Sequence, residues 1–376
     1  MLESQVHTVA MGSPSDTGSV DALFERGLVD PAHVVALIAQ TEGDGYARGY
    51  AALAFQLSLA RALGVSQSDV ADAIPMLMIG GTAGLMSPHV TLFVKRPVSS
   101  HAKDKAKRLA IGVASTRALK PEEYGRTSQV ELVAAAVRAA MKDADIGSTD
   151  DVACVELKCP QMTGDRMADA LSRGRPVADS SPSVASAMSR GASALGAAVA
   201  LGEVRESEIA DTVVGRRRDL FTKRASASSG SEQDAVRVVV LGNVEGAPGH
   251  YVAAHSVMEH QLDLVGARKA FVGAGLRIED GVLVPADRPK LAATFVNAGA
   301  DYLPHCLGRR HTMGSDLLAH ASGHLAKAVA HATIAGITQD PLFLCSAGAE
   351  HQGQPGSNLI CVVANHGART SQTGAS

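Results

Sequence analysis

Aromatic residues make up only 3% of this 376-residue chain and tryptophan is missing altogether. Large aromatic anchors are therefore scarce, cores must be filled by Ala, Val, Leu and Met, and a function based on stacking nucleic-acid bases is disfavoured. Five cysteines (Cys154, Cys159, Cys306, Cys345 and Cys361) are scattered with no CxxC spacing. That excludes a disulfide framework and a cysteine zinc site, and fits a reducing cytoplasm. Neither charge sign dominates: 35 basic against 38 acidic residues leave a net charge of -3, so no nucleic acid and no anionic membrane is implied as partner. The cluster Arg216, Arg217, Arg218, Lys223 and Arg224 reads as a solvated loop. No apolar run approaches the ~20 residues of a membrane helix, since the stretch Ala73 to Met86 is broken by Gly80, Gly81 and Gly84. No signal peptide is expected, since His7, Asp16 and Asp21 stand where a basic and then apolar leader would be.

What is present is a weak internal repeat. Met76-Leu77-Met78-Ile79-Gly80-Gly81-Thr82, Ala225-Ser226-Ala227-Ser228-Ser229-Gly230-Ser231 and Phe343-Leu344-Cys345-Ser346-Ala347-Gly348-Ala349 each run from apolar or small residues into a glycine turn. A strand-like run follows each: Val90 to Val94, Val236 to Leu241, and Leu359 to Val363. Ala-rich segments with helical spacing precede them at Ala47 to Leu63, Pro182 to Leu201 and Asp316 to Ile337. Another helix is expected over Ser128 to Ala144, with Ser128 and Glu131 as a capping box. Val152 to Leu157 and Ala293 to Val296 read as strands ahead of the second and third helices. The pattern is strand, helix, strand, turn, strand, three times over. It predicts an α+β chain of three similar units, residues 1–103, 104–249 and 250–376.

Two other motifs mislead. Gly273-Ala274-Gly275 lacks the third glycine of a dinucleotide loop, where Ile278 stands. Asp316, His320 and His324 have the four-residue spacing of helical zinc ligands, but such spacing arises readily by chance in a chain with 14 histidines.

Several segments resemble the cyanuric acid hydrolases and barbiturases, the ring-opening amidohydrolases. They are Ile111-Gly112 through Pro121-Glu122-Glu123-Tyr124-Gly125-Arg126, Leu157-Lys158-Cys159-Pro160, Ser189-Arg190-Gly191-Ala192-Ser193-Ala194-Leu195-Gly196, Gly308-Arg309-Arg310-His311-Thr312-Met313 and Gly348-Ala349-Glu350-His351-Gln352-Gly353. The resemblance runs from about Thr41 to the end of the chain. It implies three pseudo-symmetric α/β repeats packed as a prism around a central pocket for a flat cyclic amide, each repeat giving a Lys, an Arg and a Ser, and a homo-oligomer. Only the second repeat keeps all three, as Lys158, Arg190 and Ser228. In the first repeat Arg48 stands, while Gln40 takes the Lys position and Ile79 the Ser position. In the third, Ser346 stands, Asn297 takes the Lys position and His324 the Arg position.

The resemblance thus implies Lys158 and Ser228 as a catalytic pair. A serine hydroxyl needs a base, and a lysine is one only when burial or positive neighbours lower its pKa. Arg48 and Arg190 would hold ring carbonyls, the backbone amides of Ser229 and Gly230 would stabilise the developing oxyanion, and Gly80, Gly81, Ala347 and Gly348 would border the ring in the other two turns. Gln40 could still donate to a carbonyl. Ile79 cannot, so a ring with an apolar edge is expected rather than symmetric cyanurate. No cofactor is expected. A structural divalent cation near Glu350 to Gly356 is suggested by the family, but its Glu is replaced by Gly299. Beside hydrolysis stand two rival functions: a heterocycle-binding protein with a degenerate site, and an isomerase or lyase using Lys158 and His324 as acid and base.

Overall fold

A computed structural model of the chain describes residues 1–43, 45–99, 105–299, 304–313 and 323–367. Its frame is three four-stranded sheets of identical connectivity. The first holds β1 (Leu2–Ala10), β2 (Val34–Gln40), β3 (Met76–Ile79) and β4 (His89–Pro97). The second holds β5 (Lys107–Ser115), β6 (Val152–Pro160), β7 (Ala225–Gly230) and β8 (Arg237–Glu245). After β9 (Tyr251–Met258), a small hairpin of β10 (Ile278–Glu279) and β11 (Val282–Leu283) precedes β12 (Leu291–Ala298). A second hairpin, β13 (His305–Cys306) and β14 (Arg309–Arg310), precedes β15 (Leu344–Ala347) and β16 (Asn358–Asn365), which complete the third sheet with β9 and β12.

In every sheet the fourth strand lies between the first and second, antiparallel to both, and the third pairs in parallel with the second at the edge. A parallel pair needs a crossover of a dozen or more residues, and the helices supply it. These are α2 (Tyr46–Leu63) and α3 (Gln67–Ala73) in the first unit, α5 (Gly164–Ser172) and α6 (Pro182–Ala200) in the second, and α8 (His324–Thr338) in the third; α1 (Gly18–Glu25), α4 (Thr127–Asp143) and α7 (Leu264–Gly273) connect first to second strands. The same register break recurs in each second strand, between Val34 and Ala36, Val152 and Cys154, and Leu291 and Ala293. Three copies of one bulge are a structural mark of repetition.

Each sheet has two buried faces. Outward faces pack on their own helices in three separate cores. Inward faces meet along the axis in one shared core that includes Ile38, Leu77, Ile79 and Phe93 from the first unit, Ile111, Cys154 and Leu241 from the second, and Phe295, Leu344 and Cys361 from the third. Strands buried on both sides read as continuous apolar runs. No helix among the described residues is long and apolar enough to cross a membrane.

Several local expectations change. The opening strands β1, β5 and β9 are additions to the expected pattern. Ser228 and Ser229 lie within strand β7, which runs to Gly230, rather than in a turn. Helix α4 begins at Thr127, one residue before the predicted cap, because Asp211 accepts from the Thr127 amide and hydroxyl, both at 2.8 Å. Gly196 lets α6 approach α4: a Cβ there would lie 2.7 Å from the Val130 carbonyl. Arg216 to Arg218 are exposed as expected of a solvated loop, but Arg224 is largely buried against Glu203 at 3.2 Å. Asp316 and His320 of the zinc-like spacing, and the predicted helix start at Asp316, lie outside the described residues.

Candidate active site

The three edge strands β3, β7 and β15 end around a common cavity of about 270 Å³ at the axis. It is lined by Arg48, Ile79 and Gly80 from the first unit, by Lys158, Gln161, Arg190, Ser228 and Ser229 from the second, and by His324, Lys327, Ser346 and Ala347 from the third, with Gly45. The structure thus brings ten of the residues singled out in the sequence to one place. Gln40, Gly81, Gly230, Asn297 and Gly348 do not line it, and each has another task.

Parallel pairing places Lys158 opposite Ser228. The lysine is 1% exposed, its ammonium nitrogen 2.6 Å from the Met78 carbonyl of the first unit and 3.0 Å from the Ser229 carbonyl of its own. Burial lowers its pKa to about 8; Glu232 opposes that fall, and the positive Arg48 and Lys327 add to it. Glu232 Oε1 is 3.6 Å from Lys158 Nζ, and Oε2 is 3.6 Å from Arg48 Nε. Ser228 is nearly buried and its hydroxyl has no hydrogen-bond partner, so the Lys158–Ser228 hydrogen bond itself is not formed here. Such bonds are often loose in a site without substrate.

The other two lysine positions hold uncharged amides that serve as cross-links. Gln40 is fully buried; its amide donates to the Ile79 carbonyl at 3.2 Å and accepts from the Cys345 amide of the third unit at 3.0 Å. Both ends are used on backbone, so no donor remains for a ring. Asn297 donates to the Gly348 carbonyl at 2.8 Å, and Gln352 accepts from the Ala227 amide at 2.7 Å. Lys158, Gln40 and Gln352 thus each bond to the backbone of a neighbouring unit, one at each interface.

Arg190 turns the Nε–Nη2 edge of its guanidinium toward Glu350, at 3.2 and 2.7 Å, and donates from Nη1 to the Ser229 hydroxyl at 3.3 Å. Burial would raise the Glu350 pKa, but Arg190 holds it below the usual carboxylate range. Arg48 donates to Gln161 at 2.9 Å. Gly81, at φ +67°, cradles His324, whose imidazole would overlap any Cβ there. Gly230 leaves room for the Glu232 carboxylate in the same way.

Lys327 and Glu232 were not among the residues expected. Lys327 donates to the Gly80 carbonyl at 2.8 Å from the first turn of α8. Its signal was legible: Lys327, Ala330, Ile334 and Ile337 recur at helical spacing on one buried stripe, a place where a lysine is unusual. Glu232 gave no such signal, since an acid after a Ser-rich turn reads as solvated. The cation of the C-terminal loop does not fit these residues. Gly299 packs its Cα against the Ser357 carbonyl with no space for a side chain, and Glu350 is committed to Arg190. His351 is likewise used, accepting from the Gly215 amide at 2.8 Å.

An amine whose hold on its proton burial weakens, a hydroxyl across the strand pair and guanidiniums on the cavity wall suit attack on a polarised carbonyl. The chain belongs to the ring-opening amidohydrolases: the family model described as amidohydrolase ring-opening protein matches residues 5–365. It is 37% identical over 369 residues to a cyanuric acid amidohydrolase of Enterobacter cloacae, covering 96% of this chain and 99% of the relative. A cyclic amide hydrolase of a Rhodococcus species is 39% identical over 355 residues, 94% of this chain and all of the relative. In three dimensions it superposes on a solved cyanuric acid hydrolase with a TM-score of 0.91 at 36% identity, over 97% of this chain and 100% of the other. The enzyme from A. caulinodans gives 0.88 at 35% identity, with the same coverage.

Proposed function

We propose that this chain opens a cyclic amide or imide ring by hydrolysis, with Ser228 as nucleophile and Lys158 as its base. The observation that carries the reading is the setting of the Lys158 amine. In the neutral form its two N–H groups are taken by the Met78 and Ser229 carbonyls. That leaves the lone pair for the proton of Ser228, the register partner whose hydroxyl is unengaged. As Ser228 Oγ bonds to the ring carbonyl carbon, its proton passes to Lys158 Nζ. The ring C–N bond then breaks and the ammonium returns that proton to the leaving nitrogen, so no free amide anion is expelled. Water cleaves the resulting ester, and the net change is one water added. Arg48 and Arg190 donate charge-assisted hydrogen bonds to the remaining carbonyls.

Relatives are named for cyanuric acid and for cyclic amides in general. Here Ile79 forms part of the wall where a donor would serve a third carbonyl, and Gln40 behind it is consumed by backbone. The ring is therefore less symmetric than cyanurate, with an apolar edge toward the first unit. Incubation with a panel of cyclic ureides and imides, followed by ultraviolet absorbance and product mass, tests this. A gain of one water supports the reading. Ring alteration at unchanged mass means isomerisation, and ligand bound but intact means a binding protein; either overturns it.

A further inference from the structure

Behind the cavity wall, Glu232 is a buried carboxylate with an unusual setting. Its side chain is 6% exposed, yet neither oxygen accepts a hydrogen bond. Buried charges are tolerated when paired, and this one is paired twice over, at 3.6 Å from Lys158 in its own unit and 3.6 Å from Arg48 in the first. The approach is built into the chain. Gly230, two residues earlier, has no side chain to collide with the carboxylate, and Gly49, next to Arg48, keeps α2 close, since a Cβ there would lie 3.6 Å from that of Glu232. Glu232 is not among the residues that line the cavity; it stands behind Lys158 and Arg48, which are.

We propose that Glu232 is a positioning residue for ring opening, the counterion of the ammonium that Lys158 becomes on taking the Ser228 proton. The inference rests on the assignment of Lys158 as base. When the proton moves, a positive charge appears in a nearly water-free place already facing Arg48 and Lys327. Cys159 favours that charge less than Glu232 does, and burial raises its own thiol pKa. Ser228 gives up its proton as the charge forms. Glu232 is left as the one carboxylate ion-paired with Lys158 among the described residues. Its role parallels that of an acid that stabilises a protonated base without itself taking the proton. Arg48 shares the Glu232 carboxylate and so ties the base of the second unit to the binding arginine of the first.

The test is Glu232→Gln in the full chain, read in two ways: kcat/KM against pH, and the 13Cε shift of Lys158 in ε-13C-lysine-labelled protein, assigned with Lys158→Arg. Without the carboxylate the amine holds its proton less tightly. Both its titration and the acid limb of the rate profile should move down by about one pH unit or more, as loss of an opposite charge within about 4 to 6 Å requires. The plateau kcat should fall roughly ten- to a hundredfold with KM little changed, since a base without its counterion is weaker and the ring contacts are intact. Glu232→Asp withdraws the charge by one methylene; it should move both readouts the same way by less, and carries the test if Glu232→Gln fails to fold. An unmoved Lys158 titration overturns the proposal. A titration that moves while the acid limb stays put leaves Glu232 as the lysine's counterion but overturns Lys158 as the base, separating the two failures.

Discussion

Glu156 stands on β6 two residues before Lys158, on the same inward face, and is 3% exposed. Burial raises its pKa from an ordinary 4.5 to about 8, against the lowering effect of hydrogen bonds with Cys154 and Ser226. The folded protein therefore holds a proton there that the unfolded chain gives up above pH 4.5. Stability from this site is fully present below that pH and is lost as pH rises toward 8, at about 1.4 kcal/mol per pH unit. Between pH 5 and 8 the loss has an upper bound of about 4 kcal/mol. Glu156→Gln keeps the shape and a hydrogen-bonding head group but carries no titrating proton. Urea unfolding of both proteins at pH 5, 6, 7 and 8 measures the difference, which cancels every other titrating group. The variant should match or trail the natural protein at pH 5 and gain on it steadily to pH 8. A difference that stays flat across this range would show that Glu156 is not protonated in the fold, and the reasoning from burial would be wrong.

Lys158→Ala and Ser228→Ala should each reduce turnover by a thousandfold or more while circular dichroism stays unchanged, and the double variant should be no slower than either single one, because residues acting as a unit are not additive; additive losses would break the pair. Ile79→Ser, with Gln40 left in place as a backbone cross-link, should improve cyanuric acid binding by about 1 to 3 kcal/mol in calorimetry. The same change should lower stability by about 2 to 5 kcal/mol, since Ile79 also packs in the axial core. A folded variant with no gain in affinity would show that Ile79 does not face the ring.

Much of this was legible along the chain. Strand and helix patterns recur three times, so the α+β class followed from them, whereas Lys158, Ser228, Arg48 and Arg190 were singled out by the family resemblance and the fold brings all four to the cavity. Gln40 and Asn297 show where reading by position stops. Each stands where the family has a lysine, and either could have faced a ligand. The folded chain instead spends both on backbone groups, Gln40 reaching Cys345, 305 residues away.

The reason is physical. Periodicity is local, because an element buries the face its own side chains define, and the sequence by itself determined those faces and the inventory of amines, hydroxyls and acids. Proton affinity and hydrogen-bond satisfaction are not local. They depend on how much water is removed and which charges come within a few ångströms, and here those neighbours come from different units. Lys158 is an ordinary lysine until Met78, Glu232 and Arg48 surround it, and only the tertiary structure decided that they do.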